Sequence, residues 1–383
     1  MWEINSNPKM SKLFDYSKIA ENQDFVGRKD EISRLSTNFI FLTNTIIIAP
    51  QGWGKSSLVH RAAKEARHKE KNLRFCYLNL SNTRNGERFY ELLVQAVLKS
   101  VCLTKEEVLD YSGRFFHSLR PRVSFASDSV ESLSVDFDWD EIRKNQNEIL
   151  DLPYRIASQT GLKLVVCVDD FHNIDVFHQP EQFVQTLHSR WKTHKGVGYC
   201  VCGQGNVFME TFSKNTPMFY RYGEIMYLGK IKMSEMVVYI RERFADNAKY
   251  LDNDIAGYIA ELVDNHPFYV QQLAHMSWLS SAVVCSREVV KQAHEIIVDQ
   301  MGLVFRNLTS SLTTQQLCYL HAILSGETII STAEVLHRHH ITSATSASRS
   351  KTALLERGII CNVDGKIVFS DPIYSYWLKN RYF

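Results

Sequence analysis

The sequence predicts an α/β fold built on a parallel sheet, followed by a helical region and a tail in which helices precede a hairpin. Two observations predict the sheet and the helical region that follows it. Short apolar runs, of the length of buried strands, recur between longer helical patterns, and this alternation is typical of a parallel sheet with helices on both faces. From about residue 234 to 301 the pattern is wholly helical. The predicted strands lie at residues 46–49, 74–78, 164–168, 199–202 and 225–228.

The length of the chain and the changes of pattern along it predict three domains. A chain of 383 residues is too long for one compact core. We expect an α/β core at residues 1–230, a helical subdomain at 231–304 and a winged helix domain at 305–383. Within the core the periodicity weakens over about 102–151, where apolar and polar residues alternate around Ser and Asp. That segment predicts an inserted hairpin or extended loop, which is either a solvated insertion without chemistry or a lid or partner contact.

The composition is that of an ordinary globular protein, with 45% hydrophobic and 22% charged residues. The net charge of +2 neither demands nor excludes nucleic acid as a partner. Most of the eight cysteines lie in apolar runs such as VVCVDD and YCVCG, which indicates buried thiols in a reducing compartment rather than disulfides or a zinc site. No stretch approaches the roughly 18 uninterrupted apolar residues of a membrane span, and no leader pattern opens the sequence. We therefore expect a cytoplasmic protein that does not enter a membrane.

Residues 49–58 read APQGWGKSSL and directly follow the apolar run TIII. Here Gly52 and Gly54 let the backbone curl so that successive amides point at phosphate oxygens. Lys55 adds a positive charge near the β and γ phosphates, and Ser56 offers a hydroxyl to Mg²⁺. The helix that opens here directs its positive end at the anion. The stretch therefore predicts a loop that binds the phosphates of a nucleotide, with contacts from Pro50, Gln51, Gly52, Trp53, Gly54, Lys55, Ser56 and Ser57.

Two residues of this stretch need separate explanations. Ala49 stands where the usual phosphate-binding pattern has glycine, and it is tolerated because the position needs only the end of a strand and not a positive φ. Trp53 stands close to the lysine, and the sequence leaves its role open. It either shields the phosphates, contacts a partner, or is a packed or solvent-facing aromatic residue.

A second motif, KLVVCVDDFHNI, occupies residues 163–174. An apolar strand that ends in two carboxylates places Asp169 to hold the Mg²⁺ shell and Asp170 to orient or deprotonate the attacking water. Two acids at this position could alternatively cap the next helix. Gln204 follows another predicted strand and is either a sensor of the γ phosphate or part of a plain turn. Arg221 either reaches the γ phosphate of a neighbouring subunit or forms a surface ion pair.

The C-terminal region predicts a winged helix-turn-helix. Helical patterns precede the segment IICNVDGKIVFSD, in which Asp364-Gly365 between two apolar-rich runs is a hairpin-turn signal. The second helix of the motif is expected at about residues 343–356. These elements would contact phosphates of DNA, although winged helices also serve as protein-docking or regulatory units. The cations that would do so are Arg349, Lys351, Arg357 and, on the predicted wing, Lys366.

With these residues assembled, the chain resembles the archaeal-type P-loop ATPases, relatives of the AAA+ and signal-transduction (STAND) ATPases. The resemblance spans nearly the whole chain and rests on the segments DFVGRKDEISRL, APQGWGKSSLV, LVVCVDDFHNI, PMFYRYGEI, DNHPFYVQQLAHMSW and FSDPIYSYWL. It implies an AAA+-like P-loop NTPase core, a helical lid after the sheet and a C-terminal winged helix. It also implies an adenine pocket beside the FVGR box, which comprises Phe25, Val26, Gly27 and Arg28.

Two positions depart from the pattern of that family. The strand usually ends in Asp-Glu, whereas this chain has Asp169-Asp170, so the second carboxylate is withdrawn by about one methylene, roughly 1 to 1.5 Å. Because the geometry of attack is sensitive to such a shift, we expect slow hydrolysis with intact binding. His266-Pro267 resembles the start of the family's lid helix, near the second sensor of AAA+ relatives, but no arginine stands there.

Together these patterns predict an ATP-binding switch or slow Mg²⁺-dependent ATPase, in which the lid transmits the nucleotide state to the winged helix. The alternative is an ATP-gated DNA-binding regulator or scaffold without significant turnover. A small-molecule kinase is a weaker third hypothesis, because the FVGR box, the lid and the winged helix lie outside the usual kinase plan. The expected cofactors are ATP and Mg²⁺. The expected partners are DNA or a protein at the winged helix and, through Arg221, further copies of the chain.

Overall fold

The fold consists of two units, each with its own apolar core. The computed structural model describes residues 14–204, 222–363 and 365–383. The first unit, which we call the sheet unit, comprises residues 29–49 and 58–228. The second, which we call the helical unit, comprises the described residues of 1–28, 50–57 and 229–383. The predicted phosphate-binding loop therefore groups with helices that lie far downstream in the sequence.

The described part of the sheet unit contains seven strands: β1 (Thr45–Ile48), β2 (Leu73–Asn79), β3 (Arg122–Phe125), β4 (Leu133–Asp136), β5 (Lys163–Asp169), β6 (Val197–Gly203) and β7 (Glu224–Tyr227). Five of them form one sheet in the order β2-β5-β6-β1-β7, and all neighbours in it are parallel. These are the five predicted strands, with ends that differ by one or two residues. Every residue of β1 and β6 is buried, as expected where helices cover both faces.

The helices that accompany this sheet include α1 (Lys29–Phe41), α2 (Lys55–Lys69), α3 (Gly86–Val101), α4 (Lys105–Phe115), α5 (Trp139–Leu150), α6 (Leu152–Thr160) and α7 (Pro180–Trp191). In α3 the apolar residues recur with helical spacing, and Phe89, Leu93 and Val97 are fully buried in the core. The side chain of Asn85 caps the start of α3 by accepting a hydrogen bond from the N–H of Arg88.

The segment predicted to be an inserted hairpin or loop forms more structure than expected. β3 and β4 do form an antiparallel hairpin, with Phe125 opposite Leu133. α4 and α5 flank this hairpin, and the sequence analysis did not predict them. Phe115 of α4, Leu133 of β4 and Ile142 of α5 are buried in the core of the sheet unit. The segment is therefore packed into that unit rather than solvated throughout.

The described part of the helical unit contains the helices α8 (Met233–Ala245), α9 (Asn253–Leu262), α10 (Pro267–Ser280), α11 (Arg287–Ser310), α12 (Thr314–Leu324), α13 (Ala333–Arg338), α14 (Ala344–Glu356) and α15 (Pro372–Trp377), and the strands β8 (Ile360–Val363) and β9 (Lys366–Phe369). We call α8–α10 the lid helices. α12 to α15 and the antiparallel hairpin β8-β9 lie in the predicted winged helix domain, which we call the winged helix. The helix expected at about residues 343–356 is α14, which is capped by Ser343.

α11 is 24 residues long and runs through the boundary that the sequence analysis placed between residues 304 and 305. Beyond that boundary, the ring of Phe305 lies 5.2 Å from the ring of Tyr374 in α15. Thr309 Oγ1 also lies 2.9 Å from Tyr374 Oη. Residues of the lid helices and of the winged helix belong to one apolar cluster. The two parts thus share one helix and one core.

The cysteines are free thiols rather than disulfides, as the sequence predicts. All eight cysteines are free thiols, and seven of them are buried. Burial raises the pKa of Cys76 to about 12, so this thiol stays protonated at neutral pH. Among the described residues, none of the helices combines the length and the apolar character that crossing a bilayer requires.

Candidate nucleotide-binding site

The predicted phosphate-binding loop connects β1 to α2 and has two left-handed residues. The φ angle is 75° at Gly52 and 84° at Gly54. Glycine adopts such angles readily and other residues do not, so the path of the chain explains the residue type at both positions. α2 begins at Lys55, and the first N–H groups of any helix lack partners within it. A curled loop that leads into a helix N-terminus is a backbone arrangement suited to an anion.

Lys55 lies against the loop that it follows. It is only 7% exposed, and its ammonium donates a hydrogen bond to the carbonyl of Pro50 at 3.0 Å. The positive charge is therefore held beside the loop backbone, where it adds to the field of the helix N-terminus. Ser56, one of the two predicted Mg²⁺ ligands, is half-buried in the first turn of α2.

Arg28 braces the same loop from the N-terminal segment. It is 5% exposed, and one guanidinium nitrogen donates to the carbonyls of Trp53 at 3.1 Å and of Gly229 at 2.9 Å. These contacts connect the FVGR box, the loop and the start of the lid region through backbone groups. The resemblance placed Arg28 in a base pocket, and sequence reasoning missed this bracing contact.

The other residues of the FVGR box are closely packed within the helical unit. Val26 packs against its apolar core, and Phe25 is half-buried. Gly27 has a φ of 65°, and a Cβ placed there would lie 2.5 Å from Glu235 Oε2 in α8. The left-handed backbone therefore favours glycine at this position, whereas the nearest atom is only the end of a flexible side chain. Phe25, Val26 and Gly27 remain predicted base-pocket residues.

Trp53 and Ser57 are both tied to their surroundings. Trp53 is buried with its ring edge-on to that of His266, at a centroid distance of 6.4 Å. Of the roles left open for Trp53, the structure thus shows packing. Ser57 Oγ accepts a hydrogen bond from the N–H of Ala20 at 3.0 Å, which fixes the segment before the FVGR box to the first turn of α2.

His266 lies against the loop, although the sequence analysis did not assign it to the site. Its Nε2 is 3.1 Å from the carbonyl oxygen of Gln51, and this nitrogen carries the proton because a carbonyl can only accept. A Cβ on Gly52 would lie 2.6 Å from His266 Cε1. The imidazole is buried, and burial lowers its pKa to about 4. The sequence signal was the His-Pro pair, which we interpreted only as the start of a lid helix.

The turn before His266 has an unusual backbone. Asp264 and Asn265 both have positive φ angles, 49° and 52°, which residues other than glycine seldom adopt. The side-chain amide of Asn265 donates to the carbonyl of Ile231 at 2.6 Å, and Lys230 forms an ion pair with Asp264. These contacts hold the turn in place and so fix the start of α10.

In the sheet unit, the carboxylate predicted to bind Mg²⁺, Asp169, and the one predicted to be catalytic, Asp170, lie at the carboxyl end of β5. Asp169 is the last residue of the strand, opposite Asn79 of β2. Asp170 has a φ of 52°, and its Oδ2 accepts a hydrogen bond from Ser81 Oγ at 2.6 Å. It precedes the short 3-10 helix Phe171–Val176 and makes no side-chain capping bond to that helix. Ser81, which follows β2, is a partner that sequence reasoning missed.

Gln204 belongs to the described part of the sheet unit. Gln204 is half-buried and follows β6 directly, so it lies at the same end of the parallel sheet as Asp169. Ligands of open parallel sheets bind at this end. Arg221 lies outside the described residues. Both keep their predicted roles as predictions.

The winged helix carries the predicted cations on its surface. Arg349 and Lys351 of α14 and Lys366 of β9 are exposed. Arg357 is exposed as well, and its guanidinium donates to the carbonyl of Ser311 at 3.1 Å. Of the predicted turn residues, Gly365 has a φ of 82°, and Asp364 lies outside the described residues.

Comparison with known proteins agrees with this arrangement. A family described as "Probable winged helix domain" matches residues 303–380. Among solved structures, the chain is similar to the Walker-type ATPase of Pyrococcus abyssi, with a TM-score of 0.68 and 13% identity over 96% of this chain and 99% of that chain. The chain has the fold of the AAA+-type P-loop ATPases. The predicted fold class, with its C-terminal winged helix, is thereby confirmed.

Two further structures share this ATPase fold. The ORC2 protein of Aeropyrum pernix, solved as ADPNP-ADP complexes, has a TM-score of 0.62 and 13% identity over 96% of this chain and 94% of that chain. The ORC1 protein of the same organism, solved in complex with DNA, has a TM-score of 0.52 and 14% identity over 94% of each chain. The sequence matches no curated protein.

We predict that Gly52→Ala lowers the midpoint of thermal unfolding more than Gly54→Ala does. Both changes place a Cβ on a left-handed residue, at a cost of about 1 to 2 kcal/mol. Only at Gly52 does the added atom meet another side chain, at 2.6 Å, whereas at Gly54 no described atom other than chain neighbours lies within 4 Å. Differential scanning calorimetry compares the two variants. Equal midpoints would contradict the packing of His266 on the loop.

We predict a loss of stability in mild acid that depends on His266. Its pKa is 6.5 in the unfolded chain and about 4 in the fold, so the unfolded state binds more protons between these values. The free energy of unfolding should fall by up to about 3 kcal/mol as the pH drops through this window. Of the neighbouring charges, Asp264 opposes the lowering of the pKa and Lys230 supports it.

Urea unfolding of the wild type and of His266→Gln at several pH values isolates this contribution. Glutamine keeps an N–H donor for the Gln51 carbonyl but does not titrate. The two proteins should be similarly stable near neutrality, and the wild type should lose up to about 3 kcal/mol relative to the variant as the pH falls from 6.5 towards 4. Parallel pH profiles would contradict the assignment of the acid sensitivity to His266.

Proposed function

We propose that the protein binds Mg²⁺-ATP at residues 50–57 and hydrolyses it slowly, as a nucleotide-controlled switch acting on its winged helix. The observation that carries this proposal is the loop itself. Two left-handed glycines curl its backbone, a helix begins where it ends, and the buried ammonium of Lys55 lies beside it. Each of these features favours a bound polyphosphate.

The proposed binding roles follow from the chemistry of each side chain. Lys55 and the loop amides hold the β and γ phosphates, and Arg28 keeps the loop curled by donating to the Trp53 carbonyl. Ser56 and Asp169 are the proposed Mg²⁺ ligands, because this ion prefers hydroxyl and carboxylate oxygens. When bound, Mg²⁺ neutralises charge on the phosphate oxygens.

The proposed hydrolytic roles belong to the ends of the sheet strands. Asp170 orients the attacking water, and the hydrogen bond from Ser81 fixes the direction of its carboxylate. Because an aspartate reaches less far than the glutamate usual in the family, turnover is slow. Gln204 is the proposed sensor of the γ phosphate. Arg221 is the proposed contact with a neighbouring subunit's nucleotide, which requires an oligomer.

Binding and turnover test this proposal separately. Lys55→Ala should weaken the binding of a fluorescent ATP analogue by roughly tenfold or more, because charge-assisted hydrogen bonds to phosphate are lost. Lys69→Ala, which removes the same charge at the far end of α2, is the matched control and should bind normally. Equal affinity in Lys55→Ala and wild type would overturn the loop assignment.

For turnover, Asp170→Ala should abolish steady-state phosphate release, and Asp170→Glu should raise it above the wild type by restoring the missing methylene. Wild-type protein that binds ATP but releases no phosphate, with or without DNA, would refute the ATPase part of the proposal. That outcome would favour the second candidate function.

The second candidate is an ATP-gated DNA-binding regulator. It is supported by the exposed cations Arg349 and Lys351 on α14 and Lys366 on the wing. The ORC1 protein of Aeropyrum pernix, whose fold is similar, was solved in complex with DNA. Exposed Lys and Arg on a winged helix suit contacts with backbone phosphates, which supply affinity but little sequence preference.

Salt dependence tests this second function. Arg349→Ala and Lys351→Ala should each weaken binding to duplexes of unrelated sequence alike, and each should reduce the slope of log affinity against log salt by about one. Lys291→Ala, at an exposed lysine of α11, is the control and should leave the slope unchanged. Identical slopes in all variants would contradict phosphate contacts by α14.

A further inference from the structure

Two buried side chains and one half-buried carboxylate connect the proposed phosphate-binding loop to the winged helix within the helical unit. They are His266 at the start of α10, Tyr269 in its first turn and Asp371 at the start of α15. We propose that this series of contacts couples the conformation of the loop to the position of α15, so that a nucleotide in the loop alters the winged helix. The nucleotide input rests on the function proposed above, whereas the contacts themselves do not.

The first contact ties the loop to α10. His266 donates to the carbonyl of Gln51, and its Cε1 fills the space that a side chain on Gly52 would need. The other ring nitrogen of His266 is buried and has no hydrogen-bond partner among the described residues. The polar edge of the ring is therefore oriented by the loop carbonyl. A change in the curl at Gln51 and Gly52 must move the imidazole, because close packing leaves no gap to absorb it.

The second contact lies within the first turn of α10. His266 and Tyr269 are three residues apart and hence on one side of the helix. Their ring centroids are 5.0 Å apart with an interplanar angle of 56°. Both rings are buried, so a displacement of the imidazole is transmitted to the phenol ring.

The third contact joins the lid helices to the winged helix. The hydroxyl of Tyr269 donates to Asp371 Oδ2 at 2.6 Å. The other carboxylate oxygen of Asp371 accepts from the N–H groups of Ile373 at 2.8 Å and Tyr374 at 3.1 Å, and so caps α15. Burial raises the pKa of Asp371, and these three donors oppose that rise. The cap of a winged-helix element thus depends on a hydroxyl carried by a lid helix.

α15 closely follows the wing in the sequence, so a displacement of α15 can reach the wing. Only two residues separate the end of β9 at Phe369 from the start of α15 at Pro372. A shift of α15 therefore pulls on the hairpin that carries Lys366. Coupling between two sites is reciprocal, so a partner that binds the wing would change nucleotide affinity by the same factor.

Hydrogen exchange at the capped amides of Ile373 and Tyr374 tests the coupling on the intact protein. Without nucleotide, Tyr269→Phe and His266→Ala should each accelerate this exchange roughly fivefold, the factor for one hydrogen bond. The effect of His266→Ala is the informative one, because His266 does not touch α15 directly. In the double variant, exchange should accelerate by less than the product of the two single-variant factors, because both changes interrupt the same series of contacts.

A non-hydrolysable ATP analogue with Mg²⁺ tests the nucleotide input. It should change the exchange of α15 in the wild type and leave it unchanged in Tyr269→Phe. Tyr376→Phe is the matched control, because it also removes a tyrosine hydroxyl that donates to a carboxylate, that of Glu295, at 2.6 Å. Tyr376 lies in α15 but outside the series, so its variant should keep the full response.

The outcomes separate the coupling from the proposed function. Unchanged exchange in His266→Ala overturns the coupling whether or not the protein binds ATP. An equal response to the analogue in wild type and Tyr269→Phe overturns it as well. Failure of the wild type to bind the analogue would contradict only the proposed function. The exchange of the nucleotide-free wild type and variants would still test the coupling. His266→Gln, which keeps the donor to Gln51, should restore near wild-type exchange and shows that His266→Ala does not act by unfolding.

Discussion

A backbone that curls through left-handed residues cannot place its carbonyl groups in a helix or a sheet, so other donors must satisfy them. In the proposed phosphate-binding loop, donors from two distant parts of the sequence meet this requirement. Arg28 donates to the carbonyl of Trp53, and His266 donates to that of Gln51. One donor precedes the whole sheet in the sequence and the other follows it. The conformation of the loop therefore depends on the assembly of distant parts of the helical unit.

The choice of histidine at the lid position has an electrostatic consequence. An arginine would stay charged at every physiological pH, whereas the pKa of His266 of about 4 keeps this side chain neutral near pH 7. A neutral imidazole contributes shape and one directed hydrogen bond, but no charge toward phosphate. In the proposed site, the cationic contribution of the loop therefore rests on Lys55. The proposed slow turnover is consistent with lid helices that respond to the geometry of the loop rather than supply charge to it.

The sequence was sufficient where local chemistry decides the structure. Buried strands showed as apolar runs, the left-handed turns showed as glycines at positions 52 and 54, and Ser343 marked the start of α14. It was insufficient where contacts between residues far apart in the sequence decide the structure. α4 and α5 are short and are stabilised by burial in a shared core.

The same limit applies to the candidate site. The partners Arg28–Trp53, His266–Gln51 and Ser81–Asp170 join residues far apart in the sequence, and no spacing rule connects them.

The shared helix α11 also constrains how the chain can be divided or synthesised. A truncation between residues 304 and 305 would interrupt the continuous helix α11 and expose Phe305 to solvent. The winged helix can therefore be transferred to another protein only together with the lid helices. During synthesis, the core of the helical unit is incomplete until the fully buried Leu378 has been added. The strands of the sheet are all made well before that point. The loop after β1 therefore receives its hydrogen bond from His266 only after the lid helix α10 has been synthesised.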